Sequence, residues 1–377
     1  MMKKFKKLNY ITYQTFPADT ANSIQTIGFI KYCVRLGFDV TLLFPERSNT
    51  SNGDIDVLQN YYSFKEKFKI KLIKHNYPFK DYIKKTHFKK FRFHISHMLW
   101  SLNTIKNLDL ENAIDEVFFT RSDWVFYFLS KRSLNVVLEC HQISKVRKLL
   151  LSKSMKNKNS KIIFTSSKLR DDFNLSQDEL LNSIVLHNGF DEDLYNKKKI
   201  IKKDKQIIFV GKLSRFDDER DISFLIKCFD DIRLSEFNLL IIGGPEHVKK
   251  QLEKEVIKLK IKNVKFLGQL SRLETIKHIQ ESRIGVLINS KKNMHSTEHT
   301  SPLKYFEYLR GGLEVVAIDF TSHRLLPQPK IIYFYERTKD SFIENINNAY
   351  MNKNENVEIE QFSLEARTKK IIEFMAR

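Results

Sequence analysis

Cysteine is nearly absent from this chain. Cys33, Cys140 and Cys228 are odd in number and far apart, which excludes a disulfide framework and a zinc pattern and suits a reducing compartment. No run approaches the roughly 18 apolar residues a spanning helix needs, so any membrane contact is expected to be peripheral. The opening MMKKFKKLNYITYQTF has a basic end with no apolar segment behind it, so a secretory signal is not expected. Internal repeats and low-complexity tracts are missing too. Acid is in deficit: 45 Asp and Glu stand against 65 Lys and Arg, a formal charge of +20. Residues 1–190 hold 31 basic and 17 acidic side chains, a net of +14, which leaves +6 for the rest. Such a field favours anionic partners, namely phosphorylated substrates, acidic membrane or nucleic acid. Surface lysine without any partner explains the excess equally well.

With 377 residues, 42% of them hydrophobic, the chain suits two folded domains rather than a disordered one. Short apolar runs alternate with helix-length segments throughout. In the first half these are LNYITY (8–13), DVTLLF (39–44), IKLIK (70–74), EVFFT (116–120), NVVLE (135–139), KIIFT (161–165) and SIVLH (183–187). In the second half they are QIIFVG (206–211), NLLIIG (238–243), NVKFLG (263–268), RIGVLI (283–288), EVVAI (314–318) and KIIYFY (330–335). Strands this apolar, alternating with helices, predict parallel sheets covered on both faces, and two series predict two doubly wound α/β domains. The polar stretch NKKKIIKKDK (196–205) is the expected linker. Ligands of such sheets bind beyond the carboxyl ends of the strands.

Several segments lie there. In HTSPLKYFEYLRGGLEVVAID (299–319), Thr300 or Ser301 would cap a helix with Pro302 in its first turn, and the amides beyond would form an anion site with Lys304 close by. Glu307, on the same helix, could accept hydrogen bonds from ligand hydroxyls. A plain capped helix packing Leu303, Phe306 and Leu309 fits as well. In VGKLSRFDDERDISFLI, Gly211 ends a strand and Lys212, Arg215 and Arg220 could meet a diphosphate, unless Asp217, Asp218 or Glu219 pairs with Arg220. His141 follows a strand in VVLECHQI, in a structural or a functional role. After the first strand comes FPADTANSIQ, where Thr20 or Asn22 would cap a helix closed by Gly37. HNGFDEDLY (187–195) reads as a turn. KKTHFKKFRFHISHMLW (84–100) places Phe88, Phe91, Ile95, Met98 and Leu99 at helical spacing beside Lys84, Lys85, Lys89, Lys90 and Arg92, which fits an acidic membrane surface or a core with a basic edge. His87, His94 and His97 lack carboxylates at metal spacing, and DID (54–56) and DED (191–193) are too short to signify, so no metal site is expected.

These pieces in this order resemble the retaining two-domain GT-B glycosyltransferases of family 4, most strongly over 183–319. SIVLHNGFDEDLY is similar to the family's Asn-Gly turn, and TSPLKYFEYLRGGLEVVA to its S-P-x-K-x-x-E-Y-x-x-x-G segment. Lys212 matches the first cation of the donor-phosphate loop, and Arg220 the second, with about three extra residues between them. The resemblance implies a GT-B fold: two Rossmann-like domains (1–195 for the acceptor, 196–358 for the donor) facing a cleft, with 359–377 as a helix crossing back to the first. It implies transfer of a sugar, with retention, from a nucleotide sugar to a hydroxyl of a glycan or lipid-linked acceptor, in cell-envelope polysaccharide synthesis. Lys212, Arg220, His141 and Glu298 would be catalytic. Gly211, Arg215, Leu267, Gly268, Leu270, Thr300, Ser301, Pro302, Leu303 and Glu307 would bind the donor, with Glu307 on the ribose. Asp19, Thr20 and Asn22 would lie on the acceptor side. The expected donor is a UDP- or GDP-sugar used as substrate, with no cofactor and no metal. The chain is expected in the cytoplasm, at the inner face of an anionic membrane, without nucleic acid. Departures are clear: eight residues before Glu307 stands His299, not an acid, with Glu298 one further back; Glu314 replaces a usual proline; and FPADTAN lacks a Gly-Gly pair. A nucleotide-sugar epimerase on the same fold, or a non-catalytic basic protein binding nucleic acid or membrane, are the alternatives.

Overall fold

The computed structural model describes residues 5–47, 51–75, 89–110, 113–196, 201–215, 218–352 and 358–377. The chain divides into two compact units, one of Met1–Leu186 with Leu364–Arg377 and the other of His187–Ser363. The first holds seven parallel strands: β1 (Lys7–Ile11), β2 (Asp39–Glu46), β3 (Lys69–Lys74), β4 (Glu116–Thr120), β5 (Asn135–Cys140), β6 (Ser160–Phe164) and β7 (Ser183–Val185). Their order is β3-β2-β1-β4-β5-β6-β7. In the second unit lie β8 (Gln206–Val210), a short antiparallel hairpin of β9 (Ser214–Arg215) and β10 (Asp218–Glu219), then β11 (Asn238–Ile242), β12 (Val264–Gly268), β13 (Ile284–Leu287), β14 (Glu314–Ile318) and β15 (Ile332–Tyr335). The main sheet runs β12-β11-β8-β13-β14-β15.

All thirteen apolar runs are strands of these two sheets. The inner strands are buried on both faces, while β3, β7 and β12 are only partly buried, and the two-residue period of a strand splits its side chains between two cores. In β4, Val117 and Phe119 join Tyr10 and Leu42 on one side, while Phe118 joins Ile11 and Leu43 on the other. In β8, Ile207 and Phe209 face one core and Ile208 the opposite one. In both sheets the chain reverses its winding direction once, between β1 and β4 and between β8 and β13. Loops leaving those neighbouring strand ends diverge and leave a crevice, so ligands of such sheets bind there.

The helix Ala21–Arg35 is capped by Thr20, whose hydroxyl accepts from the Ser23 amide at 3.0 Å, and Gly37 follows its end with φ +89°. The helix Leu364–Ala376 buries Ile371, Phe374 and Met375 in the core that also holds Ile27 and Phe29. Lys161 Nζ donates to the Phe374 carbonyl at 2.7 Å and fixes its end.

The expected linker needs correcting. The division falls at Leu186/His187, so 201–205 belong to the second unit, while 197–200 lie outside the described residues. Lys202 shows why. Its Nζ donates to the carbonyls of Ser282 (3.0 Å), Gly311 and Gly312 (both 2.9 Å), the last two at the carboxyl end of the helix Leu303–Arg310. A cation is favoured at a helix end where carbonyls lack partners. Burial, then Arg283, lower its pKa to about 8.

Candidate functional site

The second unit's winding reversal puts the residues after β8 at the crevice. Gly211 has φ +142°, which favours glycine, and its backbone abuts that of Gly243 at φ +144°. A Cβ on Gly243 would lie 1.9 Å from the Gly211 carbonyl oxygen, so Gly243 admits no side chain without moving backbone. A Cβ on Gly211 would stand 3.5 Å from Arg220 Nη1 and 3.6 Å from Lys304 Nζ. The Arg220 guanidinium and the Lys304 amine therefore face the space that glycine leaves open.

Lys212 and Arg220 are separated by the β9–β10 hairpin. The Arg220 amide donates to the Leu213 carbonyl at 3.0 Å, closing the excursion and returning Arg220 to Gly211. This hairpin accommodates the extra residues between the two cations. Two acids near Arg220 are engaged elsewhere: Glu219 accepts from the Ile222 amide at the start of the helix Ile222–Cys228, and Asp221 pairs with Arg337 at 2.6 Å. Asp217 lies outside the described residues. Lys212 is exposed, and the backbone of Arg215 forms part of the hairpin.

Lys304 was not among the assigned site residues, although it stands in the helix-start motif. Its Nζ is buried and has no hydrogen-bond partner among the described residues; the Phe209 ring lies beneath it at 4.1 Å. Burial, then the Arg220 charge, push its pKa well below the ordinary lysine value, against the opposing pull of Glu307.

The helix Leu303–Arg310 does not start as expected. Pro302, not Thr300 or Ser301, is its N-cap, with no side-chain capping bond. Ser301 is committed instead to the Asn188 turn: its hydroxyl accepts from the Asn188 amide at 3.1 Å, and its carbonyl from the Asn188 side chain. HNGFDEDLY is thus a structural turn, locked further by a two-pronged Glu192–Arg310 pair at 2.6 Å. Thr300 is extended, and Leu303 opens the first turn. Ahead of them Glu298 and His299 end a π-helical turn, His299 buried and Glu298 half-buried. Glu307 is 2% exposed, and its carboxylate accepts from Arg272 Nη2 at 2.5 Å. Arg272, which sequence reasoning missed, opens the helix Arg272–Glu281 just after Leu267, Gly268 and Leu270 at the end of β12. The Gly268 carbonyl accepts from the Gly243 amide at 2.7 Å, joining that strand end to the glycine pair.

In the first unit the structure brings together His141 and Asn22, at the ends of β5 and the Ala21–Arg35 helix. Arg121, immediately after β4, connects them. It donates to the Asn22 side chain (2.5 Å) and carbonyl (3.1 Å) and to Glu139 (2.6 Å), which also takes His141 Nε2 at 2.6 Å. Arg367, from the Leu364–Ala376 helix, lies 3.2 Å from the other Glu139 oxygen. Burial alone would raise the Glu139 carboxyl, but Arg121 and Arg367 outweigh it and hold it well below the usual range. Burial, then Arg121, lower His141 to about 4, so its ring is neutral at neutral pH. An ionised Glu139 can only accept, so Nε2 carries the ring proton and Nδ1 offers a lone pair. His141, 29% exposed, can present it to a substrate hydroxyl. Thr20 is spent on its cap, while Asp19 is exposed beside it. A second cluster lies at the ends of β1, β3 and β4: the Tyr13 hydroxyl is 2.6 Å from His75, and its ring stacks on His97, which is 2.6 Å from Ser122. Arg121 and Glu139 left a signal in the sequence, a cation directly after EVFFT and an acid inside the apolar VVLEC. A charge inside a strand buried on both faces requires a buried partner. Among the described residues no group of three or more His, Cys, Asp or Glu could hold a metal ion.

Residues 191–364 match the family profile described as Glycosyl transferases group 1. A search of curated proteins found no match. Among solved structures, a mutant of TarM from S. aureus, in complex with fondaparinux, alpha-GlcNAc-glycerol and UDP, is 12% identical with a TM-score of 0.68, over 99% of this chain and 100% of that one. The catalytic domain of starch synthase IV from Arabidopsis thaliana, bound to ADP and acarbose, is 11% identical with a TM-score of 0.68, over 98% and 99%. Sucrose-phosphate synthase from Thermosynechococcus elongatus is 11% identical with a TM-score of 0.66, over 99% and 95%. The fold is that of the GT-B glycosyltransferases, with two Rossmann-like parallel-sheet units.

Proposed function

We propose that the protein is a retaining glycosyltransferase of the family 4 kind, moving a sugar from a UDP- or GDP-sugar to a hydroxyl of a glycan or lipid-linked acceptor in cell-envelope polysaccharide synthesis. The observation that carries this reading is the space beside Gly211, which no side chain fills and which Arg220 and Lys304 face. As the bond from the anomeric carbon to the diphosphate breaks, negative charge grows on the leaving oxygen. Preorganised cations and helix-start amides stabilise that charge without rearranging during the step. Arg220, Lys212 and the amides after Pro302 take that role, with no metal ion required. Glu307, held in place by Arg272, takes the ribose hydroxyls, and the ends of β12 at Leu267–Leu270 meet the base. The match of 191–364 to a glycosyl transferase profile and the UDP- and ADP-bound neighbours support a nucleotide donor on the second unit.

The acceptor falls to the first unit, where His141 offers Nδ1. Exposed Phe91 and Phe93 beside Arg92 on the helix Lys89–Lys106 support contact with an anionic membrane at its cytoplasmic face. No described helix is long and apolar enough to cross a membrane.

Removing one cation tests the reading. Arg220→Ala should slow donor turnover about 10²- to 10³-fold, roughly 3–4 kcal/mol of transition-state stabilisation. Turnover within a few-fold of the parent protein would contradict it.

A further inference from the structure

The amine of Lys304 is an unusual group to find in a protein interior. It is buried, it makes no hydrogen bond among the described residues, and the face of Phe209 lies 4.1 Å from it. A buried ammonium without acceptors is costly, and the group responds by giving up its proton. The Arg220 charge pushes the same way, and Glu307 pulls against it. Arg220 is a permanent cation on the adjoining loop, and Glu307, the acid of its own helix, has its carboxylate paired with Arg272. From the short helix Thr321–Arg324, His323 feels the Lys304 charge and titrates at about 4, chiefly through burial; its Nδ1 lies 2.7 Å from the Ile318 carbonyl. What Lys304 faces, with Arg220, is the space opened by the missing side chain of Gly211, 3.6 Å from where a Cβ would stand.

We propose that Lys304 is a further contact of the donor's diphosphate, and that its amine gains a proton from solvent as the nucleoside diphosphate enters beside Gly211. This rests on the donor reading above. Its chemistry is simple: the entering anion provides the acceptor and the countercharge that the pocket lacks, and protonation turns a lone-pair amine into a three-donor cation. When the nucleoside diphosphate leaves, the proton leaves with it. Lys304 thus binds the charged product of bond cleavage more tightly than an empty pocket would allow, and the affinity of the site becomes pH-dependent on the alkaline side. At a pH between the lowered value and the ordinary one, binding must draw a proton from the buffer.

Calorimetry on the full chain tests this. UDP, GDP and ADP are titrated singly at about pH 8, where their phosphates are fully ionised, in two buffers of different ionisation enthalpy. At that pH His323 stays neutral and Arg220 stays charged, and uptake that is lost in Lys304→Met reports Lys304. The expected result is about one proton taken up per nucleotide bound by the wild type. Lys304→Met should take up none and bind at least about tenfold more weakly, while Lys304→Arg, charged at every pH, should take up none. A melting temperature for Lys304→Met at or above the wild type's shows that the loss is not unfolding. Wild-type binding without uptake, or uptake that persists in Lys304→Met, overturns this proposal alone. No heat with any of the three nucleotides, and no shift in melting temperature, overturns the donor reading and this proposal with it.

Discussion

Glu139 sits between Leu138 and Cys140 in a buried strand, and it is tolerated there because Arg121, Arg367 and His141 converge on it. Removing one member of a buried charge cluster strands the others, so Glu139→Gln should cost about 3–5 kcal/mol in denaturant unfolding at neutral pH. The sign of the pH dependence follows from the lowered carboxyl. The stability it contributes is fully present above the unfolded value of 4.5 and is lost as pH falls below that toward the folded value. The gap between Glu139→Gln and the parent should therefore shrink on going from pH 7 to pH 4; an equal gap at both would show that the charge is not what matters. His141 behaves differently. Its ring is already neutral at pH 7, so its role there is hydrogen bonding, not charge.

At the scale of elements, the sheets were legible and the helix starts were not. Thirteen apolar runs became thirteen strands; for the inner ones, burial on both faces leaves little room for polar residues, and that is written in composition. The start of Leu303–Arg310 was misassigned because Ser301 and Asn188 are 113 positions apart, and a bond between them decides which residue caps the helix. Lys304 and Arg272 escaped assignment for the same reason: what makes each notable is a tertiary neighbour, the Gly211 backbone or the Glu307 carboxylate. In Lys89–Lys106 the helical period was right, but the buried face is not the Phe91 face that core packing would need. Ser96, His97, Trp100, Ser101 and Thr104 are buried, while Phe91 is 65% and Phe93 39% exposed; Lys84, Lys85, His87 and Phe88 lie outside the described residues. The polar face turns inward because Tyr13, His75 and Ser122 supply hydrogen bonds there. The exposed pair yields a prediction. Phe91→Ser with Phe93→Ser should cut flotation with anionic vesicles roughly tenfold or more, since each buried aromatic contributes about 1.5–3 kcal/mol. Equal flotation by both proteins would remove the membrane from the account.

For the whole molecule, a charge of +20 weighted toward residues 1–190 draws anions to both units, but among the described residues it is the second unit that shows Arg220 and Lys304 facing a space kept open by glycine. That asymmetry is the centre of the account: the second unit holds a nucleoside diphosphate. The melting temperature of the full chain, followed against rising UDP, GDP and ADP, tests it most directly. A ligand that binds only the folded state adds about 2.7 kcal/mol at one hundred times its dissociation constant. The account predicts a concentration-dependent rise with at least one of the three in the wild type, and little or none with Arg220→Ala. No rise with any of them, or the same rise in both proteins, would contradict it.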